Sequence, residues 1–373
     1  MKIPFFDFQQ APSSLKIEWQ EATARVISSG RYIGGLEVTD FENRWADYLG
    51  VKHAVGVANG LDAITLGLKA LNIGPGSRVA VPSHTFLATW LAVFEVGALP
   101  IGIDCDSSGL LDLDALESVD VSVDAVIPVH MHGQMVDMPR LITWAQIHNV
   151  KVIEDCAQAH GAKIDGRMAG TWGDIGAYSF YPTKNLGAIG DAGAVVTSDS
   201  KLAETVRSYG NYGSTPTSKY RYARTGVNSR LDPIQAAVLG VNLNHLNDWN
   251  ARRSEIASTY IEKFSKFGIE MLVNEAEKSV WHHFIVLSAT RDLLRKDLES
   301  EGIFTEIHYP ENGEDSFSSI TEHVSSQPIN ARKIATRTLS LPISPWMSDE
   351  QVDYVIDCMT SDKILRNFLE EIK

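Results

Sequence analysis

An α/β protein with a mostly parallel sheet is what this chain predicts, and three observations lead there. Short apolar runs of strand length alternate with amphipathic segments of helix length through the first two-thirds. The turns between them carry glycine, asparagine and proline, and 44% hydrophobic composition over 373 residues is ample for a large core. In chain order, 54–57 reads as a strand and 61–71 as a helix, with the glycine of Asn59-Gly60 at the bend. Residues 78–81 and 86–96 repeat the unit. Apolar runs at 99–103, 124–129, 150–153 and 192–197 continue the strands, with a helix at 138–149. Strands spaced by helix-length segments pair in parallel, with helices over both faces. Asp232 suits an N-cap and Pro233 a first helical turn, opening a long helix toward Phe264. Beyond it, 281–287 reads as a strand, 291–301 as a helix and 348–373 as closing helical structure. The expected division is a large domain over 1–250, the N-terminal segment included, and a small α+β domain over 251–373.

The net charge of −14 argues against a nucleic-acid surface. Nothing approaches the roughly 18 uninterrupted apolar residues of a membrane span, and the N-terminus lacks a long apolar h-region. Cys105, Cys156 and Cys358 sit at spacings that indicate neither a disulfide framework nor a zinc ribbon. A soluble, reducing, cytoplasmic setting is the expectation. One segment runs against the acidic mean. Between Glu204 and Asp232 there is no acidic residue, while Arg207, Lys219, Arg221, Arg224 and Arg230 fall there among tyrosines and glycines. The expected structure is a long irregular loop with a positive field. Guanidinium forks suit phosphate oxygens, so a diphosphate is the expected ligand and a solvated basic loop the plain alternative.

The chemistry is concentrated around Lys184. The run Gly176-Ala177-Tyr178-Ser179-Phe180-Tyr181-Pro182-Thr183-Lys184-Asn185-Leu186-Gly187 ends a half-buried alternating stretch in a Pro-Thr-Lys corner. A lysine held in a pocket rather than in water loses its proton more easily and becomes a nucleophile toward an aldehyde. Upstream, Val152-Ile153-Glu154-Asp155 places a carboxylate at the C-terminal end of a strand, where open α/β sheets bind ligands. A Schiff-base lysine with a carboxylate to hold a pyridinium nitrogen is the arrangement that pyridoxal 5'-phosphate (PLP) requires. Gln158, one turn on, is placed to hydrogen-bond the ring hydroxyl or pack beside the ring. Gly60 and Leu61 open a helix after a strand, so their amides suit the cofactor phosphate. Singly these residues have plain readings: Asp155 as a helix cap, Gln158 as a helix residue, Asn59-Gly60 as a tight turn.

Three motifs in this order resemble those of the DegT/DnrJ/EryC1/StrS family of PLP-dependent nucleotide-sugar aminotransferases: Glu154-Asp155-Cys156-Ala157-Gln158-Ala159-His160-Gly161, Ser179-Phe180-Tyr181-Pro182-Thr183-Lys184-Asn185-Leu186-Gly187 and Asn228-Ser229-Arg230-Leu231-Asp232-Pro233-Ile234-Gln235. The resemblance runs from Gly34-Gly35 to Leu339-Ser340-Leu341-Pro342. It implies the aspartate-aminotransferase fold (fold type I), L-glutamate as amino donor and a homodimer with shared active sites. Phe86 takes the position of the family's aromatic ring over the pyridine, and Asn228 that of a residue given by the neighbouring subunit to the PLP phosphate. Where many members carry Ser-Gly-Thr, this chain has Asn59-Gly60-Leu61, so hydroxyl help must come from elsewhere, such as Ser179. Tyr181, His308 and Tyr309 are the expected sugar contacts, joined by Lys219, Arg221, Arg224 and Arg230 for the nucleotide. Within the family, Asn59-Gly60-Leu61-Asp62-Ala63 and Pro82-Ser83-His84-Thr85-Phe86 are most similar to enzymes aminating C3 of dTDP-3-keto-6-deoxyhexoses. The implied product is a dTDP-3-amino-3,6-dideoxyhexose, for an O-antigen, S-layer or antibiotic sugar.

Rival readings are amination at C4 of a dTDP- or UDP-linked 4-keto sugar, PLP-dependent dehydration, and a non-catalytic PLP- or sugar-binding regulator. Dehydratases of this resemblance carry histidine in place of the lysine, so Lys184 speaks against the second. A complete Lys184, Asp155 and Gln158 set speaks against the third. His130-Met131-His132 and His282-His283 lack carboxylate and cysteine partners at ligand spacing, so no metal is expected.

Overall fold

The computed structural model describes residues 1–215, 218–273, 279–319 and 328–369. Nine strands precede the basic segment: β1 (His53–Val57), β2 (Arg78–Pro82), β3 (Leu99–Ile103), β4 (Ala125–Val126), β5 (Lys151–Asp155), β6 (Lys163–Ile164), β7 (Arg167–Met168), β8 (Ile175–Ser179) and β9 (Gly193–Thr197). Seven of them form one sheet in the order β1-β9-β8-β5-β4-β2-β3, with β6 and β7 set apart as a small hairpin. The pairs from β8 to β3 are parallel, and β9 runs against both of its neighbours. Successive side chains point to opposite faces, and both faces are buried. Ala54, Ala80, Val126, Val152 and Val196 enter one core; Val55, Val79, Ile127, Ile153 and Val195 enter the other.

After β9 come helix Ser200–Gly210 and a hairpin of β10 (Ser214–Thr215) with β11 (Ser218–Tyr222). The segment expected to be irregular therefore has regular structure, begun by Asp199 capping the helix through the Lys201 and Leu202 amides. The single helix expected toward Phe264 is two, Pro233–Leu243 and Leu246–Ser265. Between them the Asn244 and His245 amides bond back to Val241 and Asn242, which tightens the turn and ends the first helix. Pro233 takes the first turn as predicted, but the Asp232 side chain makes no cap bond. Strand 124–129 shrinks to β4, because Pro128 has no amide to continue the ladder.

A second body of apolar side chains gathers Ile256, Tyr260 and Phe264 with β12 (Phe284–Leu287) and the antiparallel β13 (Thr338–Leu341). Ile3 belongs to it too, through a bridge to Ile303. Strand β12 starts at Phe284, three residues later than expected, since Trp281 takes a positive φ of 51° that breaks extended structure. The closing segment is helix Asp349–Met359, with a Ser348/Gln351 capping box, and helix Asp362–Leu369.

Candidate active site

A cavity of about 550 Å³ opens over the C-terminal ends of β5 and β8. Its lining includes Gly60, Leu61, Phe86, Asp155, Gln158, Ser179, Tyr181, Lys184, His308 and Tyr309. Expected site residues that lie far apart in the sequence thus share one space.

Lys184 is presented by a tight corner. Phe180 anchors the end of β8 by packing against Phe41 and Trp45 at 5.4 and 5.8 Å. The Lys184 amide then donates to the Tyr181 carbonyl at 2.8 Å, and Ala188 donates back to Phe180 at 2.8 Å. Gly187 passes so close to the Pro182 carbonyl that any Cβ would collide with it. Burial disfavours the ammonium and brings the Lys184 pKa down to about 8, against the opposing pull of Asp155. The amine is thereby a usable nucleophile near neutrality.

Asp155 ends β5 at 5% exposure. Its two oxygens accept from the Ala157 amide at 3.1 Å and the Thr89 hydroxyl at 2.9 Å. Burial raises its pKa; those two donors, then Lys184 and His130, pull the other way. A carboxylate held in this setting has strong use for a further cation, which a pyridinium nitrogen supplies. Glu154, its neighbour, faces the other side of the strand. There it accepts from the Gly170, Trp172 and Gly173 amides at 2.6 to 2.8 Å and lies 3.1 Å from His130 Nε2. His130, Glu154 and Cys156 do come together, which spacing did not foretell. Their polar atoms serve this network, with the Cys156 thiol on the Glu154 carbonyl and the Val136 amide on His130 Nδ1.

At the opposite wall, helix Gly60–Ala70 begins with Asn59 accepting from the Asp62 amide at 2.8 Å. The Gly60 and Leu61 amides have no partner among the described residues, at the positive end of an 11-residue helix. A Cβ on Gly60 would lie 2.6 Å from Ser179 Cβ, so glycine is what lets this turn reach β8. Two free amides beside a serine hydroxyl, facing a buried carboxylate and a desolvated amine across one cavity, form a donor set that fits PLP.

Other placements differ from expectation. Gln158 lies in a turn rather than a helix, and its amide is already engaged: Oε1 accepts from the His132 amide at 2.6 Å, and Nε2 donates to the Tyr309 hydroxyl at 3.1 Å. Phe86 precedes helix Ala88–Glu95, is 55% exposed, and stands 5.4 Å from the Tyr309 ring. Asn228, Arg221, Arg224 and Arg230 are not among the cavity-lining residues. Arg221 and Asn228 are exposed; Arg224 lies over the Tyr209 ring and Arg230 over that of Tyr212. Lys219 has its backbone in β11, and its side chain lies outside the described residues. Sequence reasoning missed Thr89 and His282. Thr89 lies in the first turn of helix Ala88–Glu95, and Thr85, just before that helix, is hydrogen-bonded to it at 3.1 Å. His282 lies 3.5 Å from Lys184 Nζ, and no sequence signal tied either residue to the site.

Known proteins resemble this chain along most of its length. Residues 14–360 match the model of the DegT/DnrJ/EryC1/StrS aminotransferase family. The chain is 42% identical over 364 residues to a dTDP-3-amino-3,4,6-trideoxy-alpha-D-glucose transaminase of Streptomyces venezuelae, covering 96% of this chain and 95% of the relative. It is 43% identical over 363 residues to a dTDP-3-amino-3,6-dideoxy-alpha-D-galactopyranose transaminase of Aneurinibacillus thermoaerophilus, at 96% and 98% coverage. The crystal structure of S. venezuelae DesV in complex with a ketimine intermediate superposes with a TM-score of 0.91 at 42% identity, covering 96% of this chain and 97% of that one.

Proposed function

The chain belongs to the DegT/DnrJ/EryC1/StrS aminotransferase family, and from that premise we propose that it moves an amino group from L-glutamate to C3 of a dTDP-3-keto-6-deoxyhexose. It is a PLP-dependent aminotransferase. The observation that carries the reading is the convergence of Lys184, Asp155 and the free Gly60 and Leu61 amides on one cavity. The choice of C3 and of a dTDP-linked sugar rests on the two relatives at 42% and 43% identity, both named as dTDP-3-amino-sugar transaminases.

When bound, PLP supplies an electrophilic carbonyl carbon and a ring that accepts electrons from the substrate carbon. Lys184 Nζ would hold the cofactor through its carbonyl carbon and, as a free amine, would take and return the proton of the reacting carbon. Asp155, held in place by Thr89 and the Ala157 amide, would keep the ring nitrogen protonated. Gly60, Leu61 and Ser179 would hold the phosphate, and Phe86 would pack against the ring. Tyr181, His308 and Tyr309 contact the hexose from the cavity walls. Lys219, Arg221, Arg224 and Arg230 hold the diphosphate of the substrate, and Asn228 serves the phosphate site of a second copy, so the working unit is a homodimer. That assignment is supported by the absence of a competing carboxylate: Arg221 is exposed and Arg224 and Arg230 half-buried, and none of the three has an ion pair among the described residues. No described helix is long and apolar enough to cross a membrane, in keeping with a cytoplasmic enzyme of deoxyamino-sugar synthesis.

The test is a pair of half-reactions on purified protein loaded with PLP. L-Glutamate is expected to bleach the cofactor band, and a dTDP-3-keto-6-deoxyhexose to restore it. Restoration only by a 4-keto sugar would move the chemistry to C4. No bleaching with glutamate would remove the proposed donor.

A further inference from the structure

His282 has a tautomer dictated by hydrogen bonds that begin well away from the cavity. Asn250 donates through Nδ2 to the His160 carbonyl at 2.8 Å, so its Oδ1 is free to accept. Asn185 Nδ2 donates both of its hydrogens, to Asn250 Oδ1 and to the Val280 carbonyl, each at 2.8 Å. Neither partner can donate in return, which fixes Asn185 Oδ1 as the acceptor facing His282 Nδ1 at 3.1 Å. His282 Nδ1 must then carry the hydrogen, and the neutral ring keeps its lone pair on Nε2. That lone pair lies 3.5 Å from Lys184 Nζ.

We propose that His282 is a positioning residue for Lys184: its neutral Nε2 accepts one N–H of the lysine amine and aims the remaining valences into the cavity. The inference rests on the reading of Lys184 as the residue that captures PLP. No proton needs to change owner for this role; the imidazole acts as a fixed acceptor. Its surroundings keep it neutral. His282 is 5% exposed, and Lys184, Arg253, His308 and His160 all disfavour a further positive charge there. The His283 ring lies 4.0 Å away and is itself held neutral, by burial first and then by its histidine neighbours. Arg253, 2% exposed and bonded among the described residues to the Trp281 and Ile343 carbonyls, is a fixed cation on that side. On the other side Asp155 is the anion that favours the Lys184 ammonium.

A neutral acceptor stabilises an ammonium, so removing it should lower the Lys184 pKa further; an acceptor kept at the same place should not. The experiment measures how fast the full-length protein captures PLP, read from the growth of the cofactor band, as a function of pH. Wild type, His282→Gln and His282→Phe are compared. Gln retains an oxygen near the Nε2 position and Phe retains only the ring. The expected wild-type midpoint is about 8. In H282F it should fall by about one to two pH units, the worth of a hydrogen bond to a charged group, while H282Q stays with wild type. In the loaded enzyme kcat should fall about tenfold in H282F with KM for both substrates unchanged, and recover in H282Q. An H282F midpoint equal to that of wild type, or H282Q displaced as far as H282F, would overturn the inference and leave the aminotransferase reading standing. Wild-type protein that captures no PLP at Lys184 would take both down. Should H282F not fold, imidazole ¹⁵N shifts of the wild-type protein decide: an Nδ1–H tautomer at His282 is expected, and an Nε2–H tautomer overturns the proposal.

Discussion

At the end of β5 the polar groups find partners within one chain, whereas the guanidinium groups of Arg221, in β11, and Arg224, just after it, make no ion pair among the described residues. Asp155 has Thr89 and the Ala157 amide, Gln158 has His132 and Tyr309, and Lys184 has His282. Arg221 has no hydrogen bond or ion pair among the described residues, and Arg224 has only the face of Tyr209. Buried groups left without partners would cost stability, and the bonds to Asp155, Gln158 and Lys184 spare these three that cost. Exposed cations cost little, and remain available to a ligand or a second copy. In the proposed function the floor of the cavity makes and breaks bonds, and the basic residues in and after the hairpin hold the anionic substrate.

Four substitutions and one titration break or sharpen this contrast. Lys184→Ala should lower kcat by at least about a thousandfold, since no other amine in the cavity replaces the nucleophile; turnover within tenfold of wild type would dissolve the floor's assigned role. Asp155→Asn should cost about a hundred- to a thousandfold in kcat with the fold retained, the scale of losing one preorganised electrostatic partner. Glu154→Gln, one residue away, should act on stability instead. A carboxylate that accepts three amides and faces His130 is lost at about 3 kcal/mol, read as a lower melting temperature, with near-normal kcat in the folded fraction. Equal kinetic damage from both changes would mean the two faces of β5 are not separated as described. Arg224→Ala should raise KM for the nucleotide sugar about tenfold and leave the glutamate half-reaction untouched; a slowed glutamate step would place Arg224 in the floor's chemistry. Smallest in amplitude is the pH effect on cofactor capture. The rate of PLP capture should rise as pH increases through about 8, because burial lowers the Lys184 pKa and only the neutral amine attacks. A midpoint above 10 would describe a solvated lysine.

The sequence exposed those parts of the site that are local. Lys184, Asp155 and Gly60 each sit close to the point where a strand gives way to a turn or a helix, and periodicity with turn residues marks such points. The alternation that separates Glu154 from Asp155 is equally local, though it takes the sheet order to say which face holds the cavity. Thr89 on Asp155 spans 66 residues and Asn185 on His282 spans 97. Pairings at that separation depend on how elements pack, which no spacing rule encodes. The hairpin was misjudged for a different reason. Arg, Tyr and Gly in mixed order suggested irregular chain, but alternate residues of 218–222 satisfy a strand once Ser214 finds Tyr222 opposite. The break between Leu243 and Leu246 was hidden because apolar residues continue across it at helical spacing.

The most direct test of the central claim is to load the protein with PLP, reduce it with borohydride, and map the pyridoxyl-modified peptide by mass spectrometry. Modification at Lys184, and its absence after prior incubation with L-glutamate, is the predicted result. A label on another lysine, or none at Lys184, would contradict the account.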